Sequence, residues 1–451
     1  MTEKLPNDLL LAFYGDDFTG STATLEALAF AGLKSVLLFE SPDEHLLKRI
    51  SDCQAIGIAG LSRSKTPEWM EENLPPVFER LKSVYPCLIH YKVCSTFDSA
   101  PQVGSIGKAI EIGSGVFGND WTPVFTAVPD LKRWQVFGNL FASAHGQTYR
   151  IDRHPVMMHH PVTPMKEADL CVHLGQQTSW KVALIDFTDL KMGGSDAKIA
   201  RATLEGARIM LIDGMDNETM TAAGQLMWEG RTARPFVVGS QGVEYALIAW
   251  WRKNGLLTED YATSPLTKVS RIAAVSGSCS PVTARQIDYA AANGFATIAL
   301  KTHRVVDGRA WKEELDRAAR LAIAALSEER DCLLYSAKGP DDPEVALLND
   351  AITTAGASRD EVSSEIGSSL GLILSHMIKE MKLARVVVSG GDSSGQACTA
   401  MGLTSVMALA PLAPGAPLCR ATSRHAHLDG IEIALKGGQM GGEDFFVAAK
   451  G

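Results

Sequence analysis

The chain is poor in the features that mark secreted, membrane or nucleic-acid-binding proteins. Its eight cysteines are scattered singly, with no Cys-x-x-Cys pair. That spacing makes neither a disulfide framework nor a structural zinc site, and it points to a reducing cytoplasm. No apolar run approaches the roughly 20 residues of a membrane-spanning helix. The first such run, Leu9–Tyr14, is far too short, and the opening Met1-Thr2-Glu3-Lys4-Leu5-Pro6 carries no signal-peptide pattern. Basic residues are in deficit: 43 Lys and Arg against 52 Asp and Glu leave a formal net charge of -9. A general nucleic-acid binder usually shows a basic domain or stripe instead. Phosphate ligands stay open, because a local loop can bind them in an acidic protein. Internal repeats and low-complexity segments are also missing.

What is present is an ordinary globular composition, 46% hydrophobic and 21% charged, over 451 residues. That length suggests two or three domains. Short apolar runs recur, each bounded by Gly, Asp or Ser and followed by a helical pattern. Leu9–Tyr14, Ser35–Phe39, Ala55–Ala59, Cys87–Tyr91, Val182–Ile185, Ile209–Ile212 and Phe236–Val238 read as buried strands. Ser21–Ala31 and Glu72–Leu81 read as intervening helices. Continuous apolar runs mean burial on both faces, as in parallel sheets. A second series places strands at Ile272–Val275, Ala296–Leu300, Cys332–Ser336 and Arg385–Ser389, with helices at Thr283–Ala292, Trp311–Leu326 and Ser363–Met381. The polar stretch Asn254–Lys268 separates the two series and sets the expected domains at 1–255 and 268–451. The predicted class is α/β: two domains, each a mostly parallel sheet flanked by helices.

Several short signatures fail on context. Gly113-Ser114-Gly115-Val116-Phe117-Gly118 fits G-x-G-x-x-G, but Asn119-Asp120-Trp121-Thr122-Pro123 cannot open the helix that a dinucleotide fingerprint requires. Gly104–Ala109 hints at a Walker loop that Gln102 and Ala109 break. Gly367-Ser368-Ser369-Leu370-Gly371 fits G-x-S-x-G inside a helical pattern, not at a strand-to-helix elbow. His154, His159 and His160 share a proline-bounded loop whose plainer reading is a packed polar loop, with a metal site as the alternative.

Other segments stand where ligands bind in doubly wound sheets, at carboxyl ends of strands. Gly15-Asp16-Asp17-Phe18-Thr19-Gly20-Ser21 follows the first strand and precedes the first helix. One helix cap does not need both aspartates, and a carboxylate can accept a proton from an attacking hydroxyl. Ser62-Arg63-Ser64 follows the third strand, and Tyr91-Lys92-Val93-Cys94-Ser95-Thr96-Phe97-Asp98-Ser99 the fourth. Arg can grip a planar carboxylate with two parallel hydrogen bonds. The later half holds Ser276-Gly277-Ser278-Cys279-Ser280, then Ser389-Gly390-Gly391-Asp392-Ser393-Ser394-Gly395 opening a helix at Gln396–Met401, then Leu435-Lys436-Gly437-Gly438. Glycines let backbone approach a phosphate, and free N–H groups at a helix start bind it. Each alone could be a plain turn; three in one half suggest a nucleotide site.

In these segments, together with Val238-Gly239-Ser240-Gln241-Gly242 and Glu443-Asp444-Phe445-Phe446, the chain resembles the four-carbon acid sugar kinases over nearly its whole length. The resemblance implies a sugar-acid-binding first domain, a nucleotide-binding second domain and an active site in the cleft between them. It implies ATP-dependent phosphorylation of the terminal hydroxyl of an acid of the threonate, erythronate or 3-oxo-tetronate type. Phe97-Asp98-Ser99 stands where many members have Arg-Gly after the Ser-Thr pair, so the acid itself stays open; Gln439-Met440 alters the last glycine loop, which lies in the nucleotide half and leaves ATP expected there. The expected roles are Asp17 or Asp16 as base, Arg63 and Lys92 on the substrate carboxylate, and Thr19, Ser62, Ser95 and Thr96 as further substrate contacts. Ser276, Ser278, Ser280, Gly390, Gly391, Asp392, Ser393, Lys436, Gly437 and Gly438 are expected to bind ATP. Mg²⁺ is expected on phosphates and water, with no protein ligand assigned. No nucleic-acid or membrane partner is expected, and a homodimer is left open. The rival reading is a non-kinase enzyme or a binding protein for small hydroxy acids.

Overall fold

A computed structural model describes residues 5, 8–42, 44–144, 146–160, 162–258 and 265–451, the side chains of residues 44, 45 and 392 excepted. The fold divides into two compact units, Met1–Ser35 with Ser41–Tyr261, and Val36–Glu40 with Ala262–Gly451. The expected linker Asn254–Lys268 lies partly outside the described residues, at 259–264.

The first unit is built on seven parallel strands. From one edge they run Ala55–Ala59, Leu11–Gly15, Leu88–Lys92, Phe236–Gly239, Thr122–Phe125, Ala207–Ile212 and Lys181–Ile185. Leu11–Gly15 and Leu88–Lys92 are buried along their whole length, the first as a continuous apolar run requires, the second with His90 and Lys92 buried in it. The strand Thr122–Phe125 escapes sequence reading because Pro123 argues against a central strand. It is tolerated because pairing with Phe236–Gly239 begins only at Val124. The Asn119 side chain stands in one step earlier, bonding the carbonyl of Phe236 at 2.7 Å and its N–H at 3.3 Å. A separate antiparallel meander, Arg133–Val136, Asn139–Ala144 and Gln147–Arg150, also went unforeseen. Its first turn is Phe137-Gly138, both at positive φ, a hairpin signal that the bulky Phe disguises.

The second unit has five parallel strands in the order Ala296–Ala299, Cys332–Tyr335, Ala273–Ser276, Arg385–Ser389, Glu432–Lys436. An antiparallel hairpin, Ala416–Ser423 and Leu403–Ala413, extends it beyond Glu432–Lys436. Ser35–Leu38 then pairs antiparallel with Leu403–Ala413. Proximity in sequence would keep that early strand with the first domain; Val36–Glu40 instead belongs to the second compact unit.

The rejected signatures fall where their context said. Gly118 ends the helix Ile106–Phe117 at φ 79, so the G-x-G-x-x-G closes a helix rather than opening one. Gly367–Gly371 lies inside the helix Arg359–Met381. His154 Nδ1 accepts from the N–H groups of Val156 and Met157, and His160 Nδ1 from Thr163. Among the described residues no group of three or more His, Cys, Asp or Glu could hold a metal ion.

Candidate active site

Three neighbouring strands of the first unit end at one place. Asp16 and Asp17 follow Leu11–Gly15, Ser62-Arg63-Ser64 forms a 3₁₀ turn after Ala55–Ala59, and Lys92 ends Leu88–Lys92. Backbone bonds lock these ends in register: the N–H of Asp16 donates to the Lys92 carbonyl at 2.8 Å, and that of Arg63 to the Asp16 carbonyl at 3.0 Å. Beneath them Tyr14 and Tyr91 stack at 5.8 Å, with Phe78 edge-on to both. This apolar floor fixes the strand ends on which the charges stand.

The Arg63 guanidinium grips both aspartates. Its Nε and Nη2 bond the two Asp16 oxygens at 3.1 and 2.6 Å, and Nη2 also reaches Asp17 Oδ1 at 2.7 Å. Lys92 Nζ lies 3.8 Å from the same Asp17 oxygen. Asp17 Oδ2 caps the helix Phe18–Phe30 by accepting from Gly20 N–H at 3.0 Å and Thr19 Oγ1 at 3.1 Å. The cap and the functional reading thus coexist in one residue. Burial pushes the Asp16 carboxyl up to about 6; Arg63 opposes this, and the neighbouring Asp17 charge adds to it. Burial would raise Asp17 too, but Arg63, Lys92 and the Gly20 and Thr19 hydrogen bonds hold it down to about 2. The pair therefore takes up its proton near neutrality on Asp16.

Gly20 permits this crowding. A Cβ there would stand 2.1 Å from Asp17 Oδ1 and 2.1 Å from Lys92 Nζ. Gly20→Ala should cost about 1–3 kcal/mol in a urea unfolding curve and lower turnover by displacing both charges. Gly115→Ala is the control: no atom lies within 4 Å of its Cβ, and a helical Gly→Ala change stabilises by up to about 1 kcal/mol.

The other expected substrate residues differ in placement. Ser62 is fully buried and bonds Tyr91 Oη at 2.8 Å, so it supports the floor instead of facing a ligand. Thr96 donates to Asp98 Oδ1 at 2.5 Å. Ser95 is half-buried, and its hydroxyl makes no hydrogen bond among the described residues. Phe97, buried at φ 56, closes a tight bend over Ser95 and Thr96, its N–H donating to the Cys94 carbonyl at 3.0 Å. Behind it a buried Ser99 meets His173 Nε2 and Gln177 Nε2, each at 2.9 Å. His173 and Gln177 lie over 70 residues away in sequence, and no motif marks them.

In the second unit the three small-residue segments also converge, on the adjacent strands Ala273–Ser276, Arg385–Ser389 and Glu432–Lys436. Gly277 N–H donates to the Ser389 carbonyl and Gly390 N–H to the Lys436 carbonyl, both at 2.9 Å. A Cβ on Gly277 would stand 2.1 Å from Ser393 Oγ, and one on Gly438 would stand 2.5 Å from Ser278 Oγ. Gly390 has φ 129 and ψ 146, a conformation open only to glycine. Ser280 caps Pro281–Ala292, whose Pro281 needs no partner for a missing N–H. The expected helix Gln396–Met401 in fact opens at Gly391, so Gly391, Asp392 and Ser393 form its first turn and present free N–H groups. The Asp392 side chain lies outside the described residues.

Lys436 is not in a loop, as its glycine neighbours suggested, but ends a strand and is fully buried. Among the described residues its Nζ bonds Thr283 Oγ1 at 3.2 Å and the Gly437 carbonyl at 3.0 Å, and lies 5.7 Å from the Phe445 ring centroid. Burial pushes the amine down to about 7. A buried cation without a carboxylate, beside three glycine turns, suits an anion. A cavity of about 400 Å³ opens from Gly277 and Ser393 onto Val345, Leu348, Ile352 and Val362. Sequence analysis singled out Gly277 and Ser393 but not Val345, Leu348, Ile352 or Val362.

Residues 11–247 match the family described as sugar-binding N-terminal domain, and residues 273–446 the one described as nucleotide-binding C-terminal domain. The chain is 44% identical to a 3-oxo-isoapionate kinase of Paraburkholderia graminis, over 98% of this chain and 94% of that protein. It is 28% identical to a 3-oxo-tetronate kinase of Burkholderia multivorans, over 97% and 96%. A Haemophilus influenzae protein of known crystal structure shares the fold with a TM-score of 0.71 and 25% identity, over 97% of this chain and 99% of that one. A Salmonella typhimurium structure does so with a TM-score of 0.77 and 24% identity, over 98% of each chain. With both of its units matched in order, the chain belongs to the four-carbon acid sugar kinase family, ATP-dependent kinases of small sugar acids.

Proposed function

We propose that this kinase phosphorylates the terminal hydroxyl of a 3-oxo sugar acid, with 3-oxo-isoapionate foremost. The preference among acids follows the 44% identity to the kinase named for that substrate, against 28% for a 3-oxo-tetronate kinase. Residues 1–255 are taken as the acid-binding half and 268–451 as the nucleotide half.

The observation that carries the reading is the Asp16–Asp17 pair, gripped by one arginine, with Asp16 poised near neutrality. Phosphoryl transfer needs alignment and charge neutralisation more than covalent help. Asp16 accepts the proton of the attacking hydroxyl. Asp17, itself faced by Lys92, holds the Arg63 fork in place, and Ser95 and Thr96 orient the substrate's hydroxyls. In the second unit the free N–H groups of Gly391 and Ser393, with Lys436, cradle the phosphates. The cavity lined by Val345, Leu348 and Ile352 takes the adenine ring. Mg²⁺ would be held by phosphate oxygens and water and would supply neutralisation of the phosphate charge.

We place the enzyme in the cytoplasm, where eight free thiols are stable. No helix among the described residues is long and apolar enough to cross a membrane. The deciding test is ATP consumption with Mg²⁺ over a panel of sugar acids. Turnover should be fastest on 3-oxo-isoapionate; no turnover on any 3-oxo acid would reject the reading.

A further inference from the structure

The cations first expected to hold the substrate carboxylate are already engaged. Arg63 spends its Nε–Nη2 edge on Asp16 and Asp17, and Lys92 faces Asp17. Two cations beside two carboxylates leave little net charge for an incoming acid. The first unit holds another cation nearby, outside every motif.

Arg133 opens the first strand of the meander. Its Nη1 donates to the carbonyls of Leu131 and Lys132, each at 3.1 Å, and of Ser143 at 3.4 Å. Those bonds clamp one side of the guanidinium to the backbone. The other side is bare: Nε is buried with no partner, and Nη2 makes no hydrogen bond among the described residues. No carboxylate of the described residues pairs with this arginine. An unpaired buried donor on a charged group is costly unless a ligand completes it. The bare Nε–Nη2 edge is the same edge with which Arg63 holds Asp16, and the one that matches a carboxylate with two parallel hydrogen bonds.

Its place ties it to the site. The Cys94 thiol lies within electrostatic reach of Arg133, and also of Arg63 and Lys92. Cys94 belongs to the bend that carries Ser95 and Thr96 and bonds Thr96 Oγ1 at 2.9 Å, so Arg133 stands near that bend. Burial also holds the Arg133 guanidinium below its ordinary range, as expected of a cation whose counter-ion arrives with a ligand.

We propose that Arg133 receives the carboxylate of the sugar acid on its Nε–Nη2 edge and selects acids over uncharged sugars. The backbone clamp on Nη1 sets the orientation in advance, so little side-chain freedom is lost on binding. The proposal rests on the sugar-acid reading above, and its test separates the two.

The experiment uses Arg133→Gln and Arg133→Lys in the full chain. Each is titrated with the acid by calorimetry without ATP, and assayed with ATP against the acid and its uncharged analogue, in which a hydroxymethyl group replaces the carboxylate. Arg133→Gln should weaken acid binding and raise its KM by roughly 10- to 100-fold, the worth of a charge-assisted bidentate pair. The KM for ATP and the kinetics with the uncharged analogue should change less than about threefold. Arg133→Lys, which keeps the charge and loses the fork, should fall between. An unchanged affinity for the acid, or equal losses with acid and analogue, would overturn the assignment. If the wild-type protein binds the acid but does not phosphorylate it, the kinase reading fails while the calorimetry still decides the role of Arg133.

Discussion

Asp16→Asn should lower kcat by about 10²- to 10⁴-fold, the usual worth of a general base, with the unfolding transition retained. Asparagine keeps the shape and can still meet Arg63, but it cannot take a proton from the substrate hydroxyl. The pH profile gives the sharper test. With the Asp16 carboxyl raised to about 6, a base that must be unprotonated loses activity as pH falls through 6, about tenfold per unit below it. Asp17→Asn should move that acidic limb to lower pH. It removes the like charge that raises Asp16 and frees Arg63 to act on Asp16 alone. An acidic limb that stays near 6 in both variants, or an Asp16→Asn enzyme within tenfold of wild type, would remove Asp16 from the chemistry.

The second large effect belongs to Lys436. Lys436→Met should cut kcat/KM for ATP by about 10²- to 10³-fold, as for other donors preorganised on a developing charge, while KM for the acid barely moves. The buried amine stands at about 7, lowered by desolvation alone. Phosphate oxygens favour its charged form, so nucleotide binding takes up a proton whenever the free enzyme has lost it. ATP affinity should therefore weaken as pH rises above 7, and this dependence should vanish in Lys436→Met. The linkage to folding has a definite sign. A depressed lysine binds fewer protons folded than unfolded between about 7 and its ordinary value of 10.5, so its cost is full below 7 and is relieved as pH rises through that window. Isothermal titration at several pH values checks the binding half, and thermal melts of wild type and Lys436→Met check the other.

Both predictions concern residues that the chain order announces only in part. Asp16 and Asp17 are adjacent between a strand and a helix, so local pattern alone placed them at a sheet edge. Pattern could not apportion their roles, because the difference comes from Arg63, 46 residues on, which bonds both oxygens of one and a single oxygen of the other. The same limit affected Lys436. Its glycine neighbours read as a loop, whereas five backbone pairs to Arg385–Ser389 make it the end of a strand. Ser62 looked like a ligand contact until Tyr91 took its hydroxyl.

The sequence by itself pointed to the α/β class, most of the parallel strands and the strand ends at which the acidic and small-residue clusters stand. These follow from local signals: apolar runs that must be buried on both faces, and small or acidic residues where a strand turns into a helix. Tertiary structure alone decided which strands are neighbours, that Val36–Glu40 joins the second unit, and that the meander brings Arg133 within electrostatic reach of Cys94. It also decided which cations are neutralised and which are left bare. Those outcomes depend on hydrogen bonds and charges that meet across tens to hundreds of residues, and nothing in the spacing of either partner fixes such meetings.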